Sequence, residues 1–109
     1  MEAFELAKLV SEAKARGKLY HEFLRVADLS AGVYVLPAGG RDPQSPHTED
    51  EIYFVARGRA TIRVGDEELR VGPGSVVFVK ANVEHAFHDI EEELRVFVLF
   101  APAEGTRGG

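Results

Sequence analysis

The chain has 109 residues, of which 45% are hydrophobic and 28% are charged, as expected for one globular domain with a modest core. It has no cysteine, which excludes disulfides and thiolate-bound metals. A formal net charge of −5, without a basic stripe, argues against a nucleic-acid partner.

The N-terminal residues 1–10 carry acidic side chains and no long apolar stretch, so they do not resemble a signal peptide. The longest apolar run, residues 96–101, is far too short to span a bilayer. We therefore expect a cytoplasmic protein that does not associate with membranes.

Residues 4–16 form the first predicted element, an amphipathic helix. Its apolar positions recur at helical spacing, and Gly17 offers a stop signal. These positions are Leu6, Leu9, Val10 and Ala13. The apolar stripe is expected to pack either on the domain itself or on a second subunit.

From residue 18 onward, short apolar stretches alternate with glycine-rich and proline-rich turns, which is typical of β-strands. The predicted strands are 19–27, 32–36, 52–56, 59–64, 68–71, 75–79, 85–90 and 94–100. Gly58 is expected to turn the chain between two of them, and prolines make 41–46 a loop. So many short strands indicate a β-sandwich or a closed barrel.

The residues suited to metal chemistry are histidines and carboxylates, because the chain has no thiol ligand. His47 lies four residues before Glu51, and His85 lies far downstream. On a straight strand His47 and Glu51 would be about 13 Å apart. A shared ion therefore requires the chain to bend between them.

Two stretches of the sequence resemble the two conserved motifs of the cupin family. The first, 40–58, contains His47 and Glu51 and ends at Gly58. The second begins with Pro73-Gly74-Ser75-Val76-Val77-Phe78-Val79 and continues to Asn82 and His85. The motifs span residues 40–89 in the family's order, and the flanking strands also fit.

The resemblance implies an all-β fold, a double-stranded β-helix (a jelly-roll or cupin barrel), with one N-terminal helix. We assign residues 1–17 to the helix, 18–102 to the cupin barrel and 103–109 to a flexible tail. A core of this size is marginal alone, and small cupins usually pair, so we expect a homodimer. The helix or the strand 19–27 would form its contact.

The resemblance also implies a divalent transition metal, Fe, Mn, Zn or Ni, bound by His47, Glu51 and His85. Ser45 stands where the family has a further histidine, and a hydroxyl is a poor substitute for imidazole. The alternative is therefore a cupin without metal, in which both histidines form hydrogen bonds in a polar pocket. Other departures from the family pattern are Lys80 for proline, Asn82 for glycine and Asp89 for asparagine.

Four further residues have side chains suited to metal binding. Gln44 and Glu49 can each supply an extra ligand, although we expect Glu49 to lie in solvent. His88 should face away from His85, because the two residues are three positions apart on a strand. His21 has no partner nearby in the sequence and is expected to be structural.

Tyr53 shares strand parity with Glu51, and Phe87 shares it with His85, so both should face the barrel interior. We predict that they contact a small organic ligand. The leading hypothesis is a metal-dependent enzyme of the dioxygenase or isomerase type. The alternatives are a non-catalytic small-molecule binding or sensing module, and a structural cupin that acts through association.

Overall fold

The protein is represented by a computed structural model that describes residues 1–44 and 46–107. Within these residues it contains one helix and six strands. They are α1 (Leu6–Ala15), β1 (Tyr20–Arg25), β2 (Ser30–Leu36), β3 (Asp50–Val64), β4 (Glu67–Val71), β5 (Val76–Val79) and β6 (His85–Ala101). All paired strands are antiparallel in the order β1-β2-β6-β3-β4, and β5 pairs with β3. The prediction of a mainly β fold with one N-terminal helix is confirmed.

Helix α1 packs on its own domain. Its buried face contacts Val33 and Val35 of β2. Of the two expected partners of its apolar stripe, the domain itself and a second subunit, the structure shows the first. Gly17 (φ +64°) ends the helix as predicted, since the Gly17 and Lys18 amides return to the carbonyls of Lys14 and Ala13. In the described part of the chain, no helix is long and apolar enough to cross a membrane.

In two places, strands that the sequence predicts as separate form one continuous strand. The separation expected at Gly58 is wrong, because β3 runs through this glycine and pairs with β6 on both sides of it. The register between β3 and β6 shifts around Gly58, which adopts φ +95°. The strands 85–90 and 94–100 are likewise both part of β6. The sheet therefore bends at irregular positions where the sequence suggested turns.

Strand alternation places one face of the sheet inside the molecule. The inward residues of β2, β3, β4, β5 and β6 form a single apolar cluster, so the sheet wraps around one core. Tyr53, Val55 and Phe87 belong to it and are almost completely buried, as their parity predicts. Glu51 and His85 face the same interior near the ends of their strands.

Candidate metal centre

The chain bends immediately before β3. Residues 48 and 49 form the bend and β3 begins at Asp50, so His47 stands outside the strand while Glu51 lies within it. The predicted bend is therefore confirmed, and the separation of about 13 Å on a straight strand does not apply.

Backbone contacts hold the two sequence motifs together. The Asn82 amide donates to the His47 carbonyl at 2.7 Å, and the Ala81 amide donates to the Asp50 carboxylate at 2.9 Å. Asn82 adopts φ +66°, a conformation that asparagine tolerates well. These contacts bring the His47 and His85 rings to a centroid distance of 5.3 Å.

The structure brings His47, Glu51 and His85 to one point. One potential ligand atom from each residue lies within 4.8 Å of the others. Glu51 is 2% exposed and His85 is 3% exposed, while His47 is half-buried. Two of the three groups are thus removed from water, where an uncompensated carboxylate is costly.

His85 presents a ring nitrogen suited to a cation. Its Nδ1 lies 2.9 Å from the carbonyl oxygen of Val83, which only accepts hydrogen bonds, so Nδ1 carries the hydrogen. Nε2 then faces Glu51 Oε1 at 3.2 Å. Among the described residues, neither this Nε2 nor either carboxylate oxygen of Glu51 has a hydrogen-bond partner.

A proton or a metal ion can compensate the negative charge of this buried pair. Burial opposes protonation of His85, but the Glu51 carboxylate, the Val83 carbonyl and Asp42 outweigh burial and raise the pKa of His85. Two ligands about 2.1 Å from one ion lie about 3.0 Å apart in octahedral and about 3.4 Å apart in tetrahedral geometry. The 3.2 Å between His85 Nε2 and Glu51 Oε1 falls in this interval, so the pair fits a metal.

A hydrogen-bond network supports this site. The Asp42 carboxylate accepts from the Tyr34 hydroxyl at 2.6 Å, the Phe87 amide at 2.8 Å and the Gln44 side-chain amide at 2.7 Å. Gln44 Oε1 accepts from the Tyr53 hydroxyl at 2.8 Å and lies 3.1 Å from His47 Nε2. The sequence offers Gln44 only as an extra ligand and does not point to Asp42 or Tyr34, because their hydrogen bonds join the loop 41–44 to strands β2 and β6.

The expectation that Glu49 lies in solvent is wrong. Its side chain is 1% exposed, and its carboxylate accepts from the amides of Gly105 at 2.7 Å and Arg107 at 2.9 Å and from the Thr48 hydroxyl. Burial alone would raise the pKa of Glu49, but these hydrogen bonds outweigh it and lower the pKa. Its partners come from the distant C-terminal segment, which local sequence does not reveal.

The C-terminal residues that the structure describes, 103–107, are attached to the barrel through several contacts. Ala103 is buried, and the Glu104 amide donates to the Ser30 hydroxyl at 2.9 Å. Glu104 Oε2 lies 3.2 Å from His47 Nδ1. This part of the segment assigned to a flexible tail thus reaches the candidate site.

Replacing Glu49 with alanine is expected to destabilise the protein by about 1.5–3 kcal/mol at pH 7, because the amides of Gly105 and Arg107 lose a charged acceptor. The folded-state pKa is lowered, so the stabilisation is present above the ordinary value of 4.5 and disappears as the pH falls through the lower folded value. Urea unfolding at pH 7 and under acid conditions would measure both effects. The exposed Glu67→Ala is the control, and an equal loss in both variants would contradict the anchoring role.

A cavity of about 100 Å³ adjoins His47 and Glu51, two of the three converging residues. It is lined by Tyr20, Tyr34, Gln44, His47, Glu51, Val98, Phe100 and Glu104. The buried Tyr20 hydroxyl has no hydrogen-bond partner among the described residues. Burial, followed by the nearby Glu104, raises the pKa of Tyr20, which keeps the phenol neutral and able to donate to a ligand.

The remaining predicted residues occupy other positions. Tyr53 and Phe87 pack edge-to-face in the core at 5.0 Å and are not among the described residues lining the cavity, so their contact with a ligand stays a prediction. His88 lies at the surface beside Glu68 and Asp89. The buried His21 contacts Glu12 of α1 at 3.1 Å, a structural position. Ser45 lies outside the described residues.

Comparison with known proteins supports the same fold. An uncharacterized protein, SCO3923, of Streptomyces coelicolor is 51% identical over 104 residues, covering 95% of this chain and 99% of that protein. An RmlC-like cupin of Methanocaldococcus jannaschii, described as a double-stranded β-helix, superposes with a TM-score of 0.70 at 22% identity. That alignment covers 76% of this chain and 78% of the archaeal one. The predicted double-stranded β-helix is confirmed.

A more distant similarity concerns a known enzyme. The dimethylsulfoniopropionate lyase DddQ of Ruegeria pomeroyi is 34% identical over 73 residues, which cover 66% of this chain. The match covers 36% of the lyase, about a third of its length.

The cupin domain family matches residues 32–101, which include both sequence motifs and most of the barrel. The chain therefore belongs to the cupin family.

Proposed function

We propose that this cupin binds one divalent transition metal through His47, Glu51 and His85 and acts on a small organic molecule in the adjoining cavity. The observation that carries the proposal is the buried pair of Glu51 and His85. A carboxylate and an imidazole nitrogen face each other at 3.2 Å, and neither has a hydrogen-bond partner among the described residues. A cation between them would satisfy both groups.

The ligand set suits several metals. Two histidines and one carboxylate hold iron(II) with positions left open, and they also accommodate zinc, manganese or nickel. When bound, the metal would supply a Lewis acid that polarises an oxygen of the substrate or activates water or oxygen. Removing one of the three ligands should weaken metal binding strongly, whichever metal occupies the site.

The cavity limits the size and chemistry of the ligand. Its volume of about 100 Å³ is below the roughly 150 Å³ of a cavity that binds benzene, so a molecule with few heavy atoms fits. The Tyr20 hydroxyl would donate to an acceptor on that molecule, and Glu104 would accept from a donor. Phe100 provides an apolar wall.

A metal-dependent enzyme is the first candidate function, of the dioxygenase or isomerase type. The similarity to the lyase DddQ supports catalysis on a small organic substrate and adds elimination to the reactions to be tested. The alternative is a non-catalytic module that binds or senses a small molecule, which the same cavity would serve. The cytoplasmic location stays a prediction from the sequence.

Elemental analysis of protein purified without a histidine tag tests the metal proposal. We expect one transition-metal ion per chain, and protein that stays metal-free after incubation with each candidate metal would contradict it. The metal-loaded protein should then be assayed for oxygen consumption and against small substrates that include dimethylsulfoniopropionate. Metal-dependent turnover supports an enzyme, whereas ligand-induced thermal stabilisation without turnover supports a binding module.

We also propose that the protein forms a homodimer through the outer face of β3 and β5, in place of the expected contact through the strand 19–27 or the helix, whose apolar stripe is buried against β2. Ile52 pairs with Phe78 and Phe54 pairs with Val76 across these strands, and the four side chains are 39–64% exposed. Helix α1 covers the outer face of β2 but not this part of the sheet. A contiguous apolar face of this kind marks an association surface, and a second copy offers the same apolar rows for a two-fold contact.

Replacing Phe78 with lysine is expected to convert the dimer into a monomer of 12.0 kDa, because each interface would bury two unpaired charges. Light scattering after size-exclusion chromatography would measure the mass. Leu69→Lys is the matched control, since Leu69 is 60% exposed on β4, away from the β3–β5 pairs. A monomeric wild type, or a Phe78→Lys dimer, would contradict the proposed interface.

A further inference from the structure

We infer that the side-chain carbonyl of Gln44 is a fourth protein ligand of the metal. The inference rests on the proposed function and extends it, because it assigns a ligand outside the predicted set of three. Gln44 lines the same cavity as His47 and Glu51, and its side chain is held in one orientation.

Asp42 determines the orientation of the Gln44 amide. The Gln44 Nε2 group donates to Asp42 Oδ2 at 2.7 Å, and the Gln44 backbone amide donates to Asp42 Oδ1 at 3.2 Å. A flipped amide would place Oε1 against a carboxylate, where two acceptors repel each other. Oε1 is therefore directed away from Asp42 and towards His47 and Tyr53.

The Asp42 carboxylate is itself fixed by two other parts of the chain. The Tyr34 hydroxyl on β2 donates to it at 2.6 Å, and the Phe87 amide on β6 donates to it at 2.8 Å. Both donors belong to regular strands of the barrel. The orientation of Gln44 is thus supported by the sheet rather than by its own loop, which is how a ligand is preorganised.

The carbonyl oxygen of Gln44 has capacity for an ion. It has two lone pairs, and the Tyr53 hydroxyl at 2.8 Å uses one of them. The oxygen lies 3.1 Å from His47 Nε2, within the interval of about 3.0–3.4 Å expected for neighbouring ligands of one ion. The His85–Glu51 pair has nearly the same spacing, 3.2 Å.

This assignment accounts for Ser45, the residue at the family's additional histidine position. Gln44 precedes it directly and would supply an oxygen donor in place of the imidazole. The site would then have two nitrogen and two oxygen ligands. Carboxylate and carbonyl oxygens favour manganese or iron(II) over softer metals.

The decisive experiment is a crystal structure of the wild-type protein loaded with Mn²⁺, located by its anomalous signal. We expect Gln44 Oε1 about 2.2 Å from the ion, and a distance above about 3 Å would overturn the inference while leaving the metal site intact. Wild-type protein that binds no Mn²⁺, Fe²⁺ or Zn²⁺ would overturn both the inference and the proposed function.

Chelator competition provides an independent readout. Gln44→Ala and Gln44→Asn should weaken Mn²⁺ binding about 10- to 100-fold, since neither presents an oxygen at the required reach. A loss of Mn²⁺ affinity in both Gln44→Ala and Gln44→Asn supports ligation, whereas Mn²⁺ binding by Gln44→Ala as tight as that of the wild-type protein contradicts it.

Discussion

Replacing His85 with alanine is expected to lower the affinity for a divalent metal by about a hundredfold to a thousandfold. A structural metal site contributes roughly 10–16 kcal/mol through all of its ligands, so one ligand accounts for several kcal/mol. Of the three proposed ligands, His85 has the best-defined geometry, since its Nδ1 is occupied by the Val83 carbonyl and its Nε2 faces Glu51. Chelator competition with the purified variant would measure the loss.

Two further variants make this result interpretable. His88→Ala removes an imidazole three residues along the same strand, at the surface, and should leave the metal affinity unchanged. Because His85→Ala leaves the Glu51 carboxylate buried and uncompensated, Glu51→Ala provides a second loss of ligand without a buried charge. A metal affinity equal to that of the wild-type protein in folded His85→Ala and Glu51→Ala would reject the site.

Replacing Gly58 with alanine is expected to destabilise the protein by at least about 3 kcal/mol. A side chain at φ +95° costs about 1–2 kcal/mol in backbone strain. Its Cβ would also collide with the Glu93 carbonyl oxygen and lie 2.8 Å from the Leu94 Cα. Both are backbone atoms of β6 and cannot rotate away. Urea unfolding followed by circular dichroism would measure the change.

Gly74 offers a matched control for the collision. It adopts nearly the same φ, +94°, but a Cβ there would meet no heavy atom of the described residues within 4 Å. Gly74→Ala should therefore show only the strain, about 1–2 kcal/mol. Equal losses of stability in Gly58→Ala and Gly74→Ala would show that the close approach of β3 and β6 at Gly58 does not cause the destabilisation.

Much of the barrel could be predicted because its signals are local. Alternating side chains identified the inward face that carries Tyr53 and Phe87, and the helical spacing located α1 within two residues at its N-terminal end and one at its C-terminal end. The glycine and proline positions marked where the strands are interrupted. They do not show whether a strand ends or continues through a bulge, so the turn predicted at Gly58 is wrong: β3 continues through this residue.

The meeting of His47, Glu51 and His85 was inferred from two motifs in the right order, and the structure brings the three residues together. The sequence did not show what surrounds them. From the sequence we expect Glu49 in solvent, yet its carboxylate accepts hydrogen bonds from amides more than 50 residues away. Asp42 likewise acts through partners on two distant strands.

The sequence by itself thus determined the class of fold, the face of each strand that is buried, and the residue types available for a metal site. These properties depend on side-chain periodicity and backbone propensity, which act over a few residues. Only the tertiary structure decided which polar groups are satisfied, where the cavity lies, and that Gln44 and Glu104 contact His47. Those contacts depend on how the sheet closes, because closure brings together residues that no local pattern relates.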